Sequence, residues 1–452
     1  MKQKLFIIQI LLFLTGIFFL SPSQLLAQRD PLVISPGLKS RPHYPVEGSI
    51  EINRDPYYQK MSVSMLIREV FVKSGVCSSV ENITAKIYGW DDKNQRWAVP
   101  NQVLNRGLAY FHKAKSKFPM KEGLLMTTGS TSEAEGPNEA DHAATLDLGS
   151  PFMGDDDLAG LVPGYKVQNV AVLEFDFVPA ASSMQFEYIF ASEEYPKYVN
   201  AIFNDVFGFF VTDKTNSKPL GNIAILPDGS AVSINNVNNG NWTDYEYKTR
   251  PTNKDTTSHH PQYFVPNPHN TLTTEFNGYT QVLTASITGL TPCNTYHLKL
   301  AVGNVGDDAV GSGVFLKANS FVLGNSMSLI VDGKEAFGIS RNCNNNHIHI
   351  TRPALESTEK QTLNLIYDGP MKNGVHYTDL NGNPLPTSVT FLPGEEHIDI
   401  WVKATNDAVT GSYFNVLMLC PCGAQAQTAF TIHIHEPCIF YLPVNPKSYF
   451  SN

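Results

Sequence analysis

The sequence has 452 residues, enough for two or three domains, and its 33 Lys and Arg against 42 Asp and Glu give a formal net charge of −9. This balance argues against nucleic acid as a partner, because binding to a phosphate backbone needs a basic surface. Charged residues make up only 17% of the chain while Gly, Pro, Tyr and Phe are abundant, which is typical of an exported β protein with many turns.

The N-terminus has the features of a secretory signal peptide. Lys2 and Lys4 precede the apolar run LFIIQILLFLTGIFFL, and the following segment offers cleavage after Ala27. The run is short for a membrane-spanning helix, which needs about 20 residues, although a retained anchor is the alternative. We therefore predict a signal peptide at residues 1–27 and a secreted or cell-surface protein without a membrane span after signal removal.

The next two segments differ in pattern. Residues 28–61 are rich in Pro and polar residues and lack periodicity, so we predict an extended lead-in. The stretch MSVSMLIREVFVKSG, 61–75, places apolar residues such as Met65 and Val70 near helical spacing and ends on Gly75. This pattern predicts one N-terminal helix.

After Cys77 the chain consists of short runs rich in β-branched and aromatic residues, separated by Gly, Pro, Asn and Asp. Clear examples are AVLEFDFVP, SMQFEYIFA, VFGFFVT, TYHLKLAVG and SGVFLKANSFVLG. Because no helices alternate with these runs, they indicate an antiparallel β-sandwich rather than a parallel α/β fold. Similar runs predict a separate, smaller β-sandwich at 325–440, before a tail at 441–452.

Several long motifs, in the right order, resemble the choice-of-anchor L domain. They are EGLLMTTG (122–129), LEFDFVP (173–179), YIFASEEYPKYVNAIFNDVFGFFV (188–211) and YTQVLTASITGLTPCNTYHLKLAVGNVGD (279–307). The resemblance covers about Ser62 to Leu323 and implies a jelly-roll-like or lectin-like antiparallel β-sandwich over 62–324. It also implies an exported bacterial surface protein, often of the gliding Bacteroidetes type of envelope, in which various C-terminal anchors follow the domain.

The second block resembles the Calx-β fold through GVHYTDL (374–380), VTFLPGEEHIDIWVKATND (389–407) and FNVLML (414–419). This resemblance implies a Greek-key sandwich, in a family where acidic residues between strands bind calcium. Asp379 and Asp407 match that pattern. Ala408 and Val409 replace the usual further Asp residues, which argues against calcium in this domain.

Three carboxylates, Glu193, Glu194 and Asp205, lie between two apolar strand signals of the larger domain. As neighbours on an extended segment, Glu193 and Glu194 point to opposite faces and cannot comfortably flank one substrate. No set of nucleophile, base and orienting group is visible in the sequence either, so we expect no enzymatic activity.

Two alternatives remain for these carboxylates. They could form a Ca²⁺ site with Asp307 and Asp308, because calcium binds carboxylate and carbonyl oxygens. Further candidate ligands for such a site are Asp155, Asp156, Asp157 and Asn204. Alternatively, they could be structural corners that accept backbone N–H groups. Calcium is the sole cofactor that the sequence indicates.

The aromatic residues around this stretch also allow two interpretations. Because half of the residues in a strand face the core, we expect most of these rings to be packed inside. Tyr195 and Tyr198 flank Pro196. These two are therefore the candidates for an exposed ligand-binding surface.

Six cysteines in an exported protein predict disulfides rather than metal ligands. Cys77 and Cys293 are alone in the larger domain, so we predict that they bond to each other. The other four, Cys343, Cys420, Cys422 and Cys438, belong to the second domain. Cys420 and Cys422 are too close along a strand to pair comfortably, so each is expected to bond to either Cys343 or Cys438.

These features together favour a non-catalytic adhesion or interaction module. Its partner would be a glycan or protein of a host or bacterial surface. A carbohydrate-binding or carbohydrate-degrading component and a structural spacer are the alternatives.

Overall fold

A computed structural model describes residues 47–73, 75–86, 89–91, 96–98, 107–138, 154–240, 255–306, 311–341, 345–421 and 426–436. These residues belong to one compact unit. The predicted signal peptide, most of the lead-in and the predicted tail lie outside the described residues. So do five of the candidate residues, namely Asp307, Asp308, Cys343, Cys422 and Cys438.

Most of the strands before residue 324 build a first sandwich. The strands in this part of the chain are β1 (Glu51–Ile52), β2 (Val72–Lys73), β3 (Ser79–Lys86), β4 (Gly89–Asp91), β5 (Arg96–Ala98), β6 (Leu108–His112), β7 (Glu122–Thr127), β8 (Val167–Val178), β9 (Ser183–Ser192), β10 (Val206–Asp213), β11 (Lys218–Asn222), β12 (Phe264–Pro266), β13 (Gly278–Thr280), β14 (Leu283–Thr288), β15 (Tyr296–Val305), β16 (Ser312–Lys317) and β17 (Phe321–Val322).

Two sheets of this sandwich face each other. The first has the order β1-β6-β7-β16-β9-β13-β12, with β14 and β17 also paired to β9, and β2 paired to β17. The second has the order β11-β10-β15-β8-β3, and all its pairs are antiparallel. A separate small sheet pairs β4 with β5. The antiparallel sandwich predicted for this region is therefore confirmed.

An aromatic core fills the space between the two sheets. Strand β9 contributes Phe186, Tyr188 and Phe190, and β10 contributes Phe207 and Phe209, all of which are buried. Neighbouring ring centroids in this group lie 4.9 to 5.1 Å apart. Aromatic pairs at such distances stabilise a core beyond the area that they bury.

The first sheet is also buried on its other face. Ile189 and Ala191 point away from the aromatic core and pack in a second cluster with Phe111, Phe276 and Phe315. Strand β9 is thus covered on both sides, which explains why its sequence is almost continuously apolar.

The sandwich begins inside the segment predicted as a lead-in. Strand β1 pairs with β6, and Ile50 and Ile52 are buried in the outer cluster. A 3₁₀ turn, Tyr58–Lys60, follows. At least part of this segment therefore belongs to the domain, because its two isoleucines gain burial that an isolated extended arm could not provide.

The predicted N-terminal helix is present but shorter than expected. Helix α1, Val63–Leu66, begins at Ser62, whose Oγ accepts the Met65 N–H at 3.2 Å. It continues as a π-helical turn, Ile67–Phe71, and then enters β2. The helical segment buries Leu66, Ile67, Val70 and Phe71.

A second helix, α2 (Asp156–Leu161), was not predicted. Asp155 caps it, because its Oδ1 accepts the N–H groups of Asp157 and Leu158 at 3.1 Å. Leu158 is buried and packs, with Val162, on the outer face of the second sheet. Six residues are too few for a periodic apolar pattern to stand out in the sequence.

The remaining strands build a second sandwich. They are β18 (Ser326–Val331), β19 (Lys334–Ala336), β20 (Gly338–Ser340), β21 (Asn346–Thr351), β22 (Gln361–Asp368), β23 (Tyr377–Thr378), β24 (Ser388–Phe391), β25 (His397–Trp401), β26 (Lys403–Ala404), β27 (Tyr413–Leu419) and β28 (Ala426–His435).

Two sheets of the second sandwich enclose a core of their own. Their orders are β19-β18-β21-β25 and β20-β28-β27-β22-β24, with a parallel pair between β20 and β28. Ile348, Ile350 and Ile400 from the first of these sheets share one buried cluster with Phe414 and Ile432 from the second. The all-β class predicted for the chain is confirmed.

The two sandwiches touch around residues 76–77. Val76 and Cys77 follow α1 in sequence but belong to the buried cluster of the second sandwich. The Cys77 N–H donates to Gln427 Oε1 at 3.1 Å, and Ser182 Oγ donates to Glu356 Oε1 at 2.8 Å. The chain therefore crosses into the second sandwich long before the strands of that sandwich begin.

The disulfide pattern differs from the predicted one. Cys77 bonds to Cys420 across a sequence separation of 343 residues, with Cα atoms 5.4 Å apart. The predicted Cys77–Cys293 bond is therefore wrong, and so is the expected pairing of Cys420 with Cys343 or Cys438. The prediction assumed that each domain closes on its own cysteines, whereas the segment carrying Cys77 packs in the other sandwich. Cys293 is also disulfide-bonded.

We expect the Cys77–Cys420 bond to fasten the two sandwiches together. Cys420→Ser should lower the free energy of unfolding by about 2–4 kcal/mol, measured by urea unfolding of the oxidised protein. Cys77→Ser should cost about as much, and the double substitution no more than either alone. Non-reducing peptide mapping that linked Cys77 to Cys293 would contradict this arrangement.

Candidate functional site

The stretch between β9 and β10 forms a closed, buried corner. Glu193, Glu194 and Asp205 are each only 1% exposed. The Glu193 N–H donates to Gly311 O at 3.1 Å, and the Glu194 N–H donates to Ser192 Oγ at 2.9 Å. The polar insert is thus held inside the fold.

Asp205 connects three strands at this corner. It lies directly before β10, and its Oδ1 accepts the Val305 N–H at 2.8 Å, at the end of β15. Its Oδ2 accepts the Ser312 hydroxyl at 2.7 Å, at the start of β16. Because β15 and β16 belong to opposite sheets, this carboxylate holds the two sheets together at one end of the sandwich.

Glu193 is tied to a group of buried asparagines. Asn277 Nδ2 donates to both the backbone oxygen and Oε2 of Glu193, each at 3.0 Å. Asn138 Nδ2 in turn donates to Asn277 Oδ1 at 3.0 Å and to Asn267 O at 2.6 Å. This network joins parts of the chain that are far apart in sequence.

Tyr195 is not the exposed residue that the sequence indicated. It is fully buried, its hydroxyl donates to Val237 O at 2.7 Å, and its ring lies 4.7 Å from Phe264. Burial, and next the charge of Asp205, raise the pKa of Tyr195. Tyr198 is partly buried against Phe203. The prediction of an exposed Tyr195 is therefore wrong, because the turn after β9 folds inward.

The acidic run at the start of α2 has a different role from the corner. Lys299 Nζ on β15 contacts Asp155 at 2.9 Å and also Asp157, while Asp156 is exposed. Burial alone would lower the pKa of Lys299, but the two carboxylates outweigh this effect and raise it. These aspartates thus form a helix cap and an ion pair. Asn204, the remaining candidate in this group, accepts the Asn235 N–H at 2.8 Å.

An accessible pocket lies elsewhere, at the edge of the first sheet beside β1, β6 and β7. Its volume is about 320 Å³, and it is lined by Glu51, Arg54, Asp55, Tyr58, Tyr110, His112 and Glu122. Tyr58 is half-buried and stacks on the buried Tyr110, with ring centroids 3.8 Å apart. Exposed carboxylates and a firmly held aromatic ring therefore line one cavity.

The polar groups of this pocket are held in place. The Tyr110 hydroxyl donates to Glu122 Oε2 at 2.7 Å. Burial raises the pKa of Tyr110, and this hydrogen bond adds to the rise. Arg54 Nε donates to the buried Glu135 at 2.9 Å, which raises the pKa of Arg54. At physiological pH the pocket therefore contains a neutral Tyr110 and a charged Arg54.

Another cluster was missed by the sequence analysis. Among the described residues, the side chains that converge closely enough to hold a metal ion are His347, His349 and Asp399, on the second sandwich. The sequence signal for this cluster is the alternation of polar and apolar residues in NHIHIT and HIDIW, which places the three residues on one face of two strands. Their pairing could not be read from sequence.

The molecule is thus a protein of two mostly antiparallel β-sandwiches, and the acidic corner between β9 and β10 is buried. Residues 52–322 match the choice-of-anchor L domain, and the chain belongs to this family. The match begins ahead of the predicted start at residue 62, at Ile52 of β1. Family membership fits a protein of the cell surface.

No curated protein matches the chain. Among solved structures, the adhesin domain of Epf from Streptococcus pyogenes aligns at 9% identity, over 82% of this chain and 92% of that chain, with a TM-score of 0.17. A TM-score this low does not indicate a shared fold. Within the described residues, no helix has the length and apolar character to cross a membrane.

The contacts of Asp205 predict a structural role for it. Asp205→Ala would leave the Val305 N–H and the Ser312 hydroxyl without their acceptor, which should cost about 1–3 kcal/mol of unfolding free energy. Urea unfolding should show this loss equally with Ca²⁺ and with chelator. Glu81→Ala, an exposed carboxylate on β3 of the same sandwich, is the matched control and should change stability by no more than about 0.5 kcal/mol.

Proposed function

We propose that the chain is an exported surface module that binds a partner without catalysing a reaction. The observation that carries the proposal is the pocket beside β1, β6 and β7, where Tyr58 stands among Glu51, Asp55 and Glu122. Pockets that combine a fixed aromatic surface with a few polar groups are the usual form of a ligand site. Family membership supports the location at the cell surface.

The ligand that fits this pocket best is a glycan. Carboxylates such as Glu51 and Asp55 can accept hydrogen bonds from sugar hydroxyls, Arg54 can donate them, and the Tyr58 ring offers an apolar contact for a sugar ring. A second pocket of about 300 Å³ lies next to it and is lined by Pro56, Tyr57, Lys60, Met61 and Met65. Tyr57 is 62% exposed. Tyr58 in the first pocket and Tyr57 in the second therefore place an aromatic ring in each.

The buried corner between β9 and β10 is one reason for proposing a role without catalysis. The hydrolase alternative would use Glu193 and Glu194 as acid and base, yet each is 1% exposed and held by backbone contacts. A general acid must reach the bond that it protonates. A binding role is therefore favoured over a degrading one, and the spacer remains the second alternative.

We expect Tyr58→Ala to weaken binding to the preferred glycan at least tenfold, or by about 1.4 kcal/mol, in a glycan array followed by titration. Glu51→Gln, a change at the exposed rim, should also weaken binding without changing the melting temperature. Tyr165→Ala is the matched control, since Tyr165 is a 43% exposed tyrosine outside the pocket lining.

Three results can be told apart. If Tyr58→Ala binds as tightly as Tyr165→Ala, the pocket is not the binding site. If the wild-type protein binds no glycan but still adheres to whole cells, the partner is a protein. If it binds neither, the spacer alternative is supported.

Calcium at the corner stays a prediction. Two of its candidate ligands, Asp307 and Asp308, are outside the described residues, while Asp205 is occupied by neutral donors. If the site exists, millimolar Ca²⁺ should raise the melting temperature of the full chain by several degrees, because an ion at 100 times its dissociation constant stabilises the native state by about 2.7 kcal/mol. Identical melting curves with Ca²⁺ and with chelator would favour the alternative, in which the carboxylates are structural corners that accept backbone N–H groups.

The Calx-β-like character of the second sandwich is also a proposal. Its two mostly antiparallel sheets support it. Asp379, one of the residues matching that family, accepts the N–H groups of Asn381 at 2.9 Å and Asn383 at 2.7 Å. It thus stabilises its own turn.

A further inference from the structure

The outer face of the second sandwich carries a group of histidines around one carboxylate. Strand β21 pairs with β25 so that His347 is opposite Trp401, and His349 is opposite Asp399. The residues between them on each strand, such as Ile348 and Ile400, point into the core. Because side chains alternate along a strand, these polar residues share the solvent face.

The ligand atoms of this group are close together. His349 Nδ1 lies 2.7 Å and His347 Nε2 lies 3.7 Å from the same oxygen, Asp399 Oδ1. Two ligands bound tetrahedrally to a metal at 2.0–2.1 Å would be about 3.3 Å apart. The two observed separations lie on either side of this value, so small side-chain rotations would suffice to place a metal between them.

His347 makes no competing hydrogen bond within the part of the chain that the structure describes. Its Nδ1 is buried and makes no hydrogen bond with any described residue. Its Nε2 is too far from Asp399 for a hydrogen bond. The ring can therefore carry its proton on Nδ1 and offer the lone pair of Nε2 to a cation.

We propose that His347, His349 and Asp399 bind a divalent transition-metal ion of the zinc type. Two imidazoles and one carboxylate are a ligand set that suits Zn²⁺, Cu²⁺, Ni²⁺ or Co²⁺. Calcium prefers six to eight oxygen ligands, so it does not compete for this site. When the metal binds His349 Nδ1, the proton that this nitrogen shares with Asp399 passes to His349 Nε2 or to solvent, and water fills the remaining coordination position.

The surroundings leave room for that position. His349 also lines a cavity of about 270 Å³ between the sandwiches, together with Thr351, His397, Lys73 and Gln185. The Trp401 ring lies 4.8 Å from the His347 ring and is 40% exposed. This tryptophan is therefore close enough to report a bound paramagnetic ion through quenching of its fluorescence.

Isothermal titration of Zn²⁺ into the full mature chain, prepared without a polyhistidine tag, tests the proposal. One ion should bind per chain, and His349→Ala and Asp399→Asn should each weaken binding at least tenfold. Cu²⁺ should quench the wild-type fluorescence, and Trp401→Phe should remove that quenching. Equal concentrations of Ca²⁺ should not displace Zn²⁺.

The chain supplies a matched control. His433 and His435 on β28 have the same two-residue spacing on an exposed strand face, and they are not part of a converging group among the described residues. His433→Ala should therefore leave Zn²⁺ binding unchanged. Melting curves of the metal-free variants check that each is folded. The proposal is overturned if the wild type binds no Zn²⁺, or if His349→Ala binds it as tightly as His433→Ala.

Discussion

Burial of the first sheet on both of its faces constrains the rest of the first sandwich. Phe186, Tyr188 and Phe190 fill one side of β9, and Ile189 and Ala191 fill the other. A loop that leaves such a strand starts in a dry environment, where an unpaired polar group costs several kilocalories per mole. The turn after β9 therefore has to satisfy its polar groups within the protein.

The carboxylates and amides of the corner meet this requirement. Asp205 accepts donors from β15 and β16, which belong to opposite sheets, and Asn277 donates twice to Glu193. Loss of these acceptors would leave the buried donors unpaired. The most conspicuous polar stretch of the sequence thus stabilises the fold, while the accessible polar pocket lies at the edge of the sheet, around Tyr58.

The two sandwiches have separate cores but are not independent. Cys77 leaves the first sandwich, packs in the second core and bonds to Cys420. A cross-link between such distant residues restricts the unfolded chain strongly, which stabilises the folded state. The bond also links the two sandwiches, whose residues line the cavity next to His349. A metal ion bound there would lie beside the junction of the two sandwiches.

The sequence by itself determined the all-β class, the aromatic core and the domain family, because these depend on local alternation and on motifs that persist along the chain. The run AVLEFDFVP was predicted as a strand, and it lies in β8 with Phe175 and Phe177 buried. The position of α1 followed in the same way from the spacing of its apolar residues.

Only the tertiary structure decided which distant residues meet. The burial of Tyr195, the bond between Cys77 and Cys420, and the grouping of His347, His349 and Asp399 all depend on strand pairing and on the path of the chain between domains. A carboxylate in a loop looks the same in sequence whether it faces solvent or a backbone N–H. Its role is set by neighbours contributed from elsewhere in the chain, as Val305 and Ser312 are for Asp205.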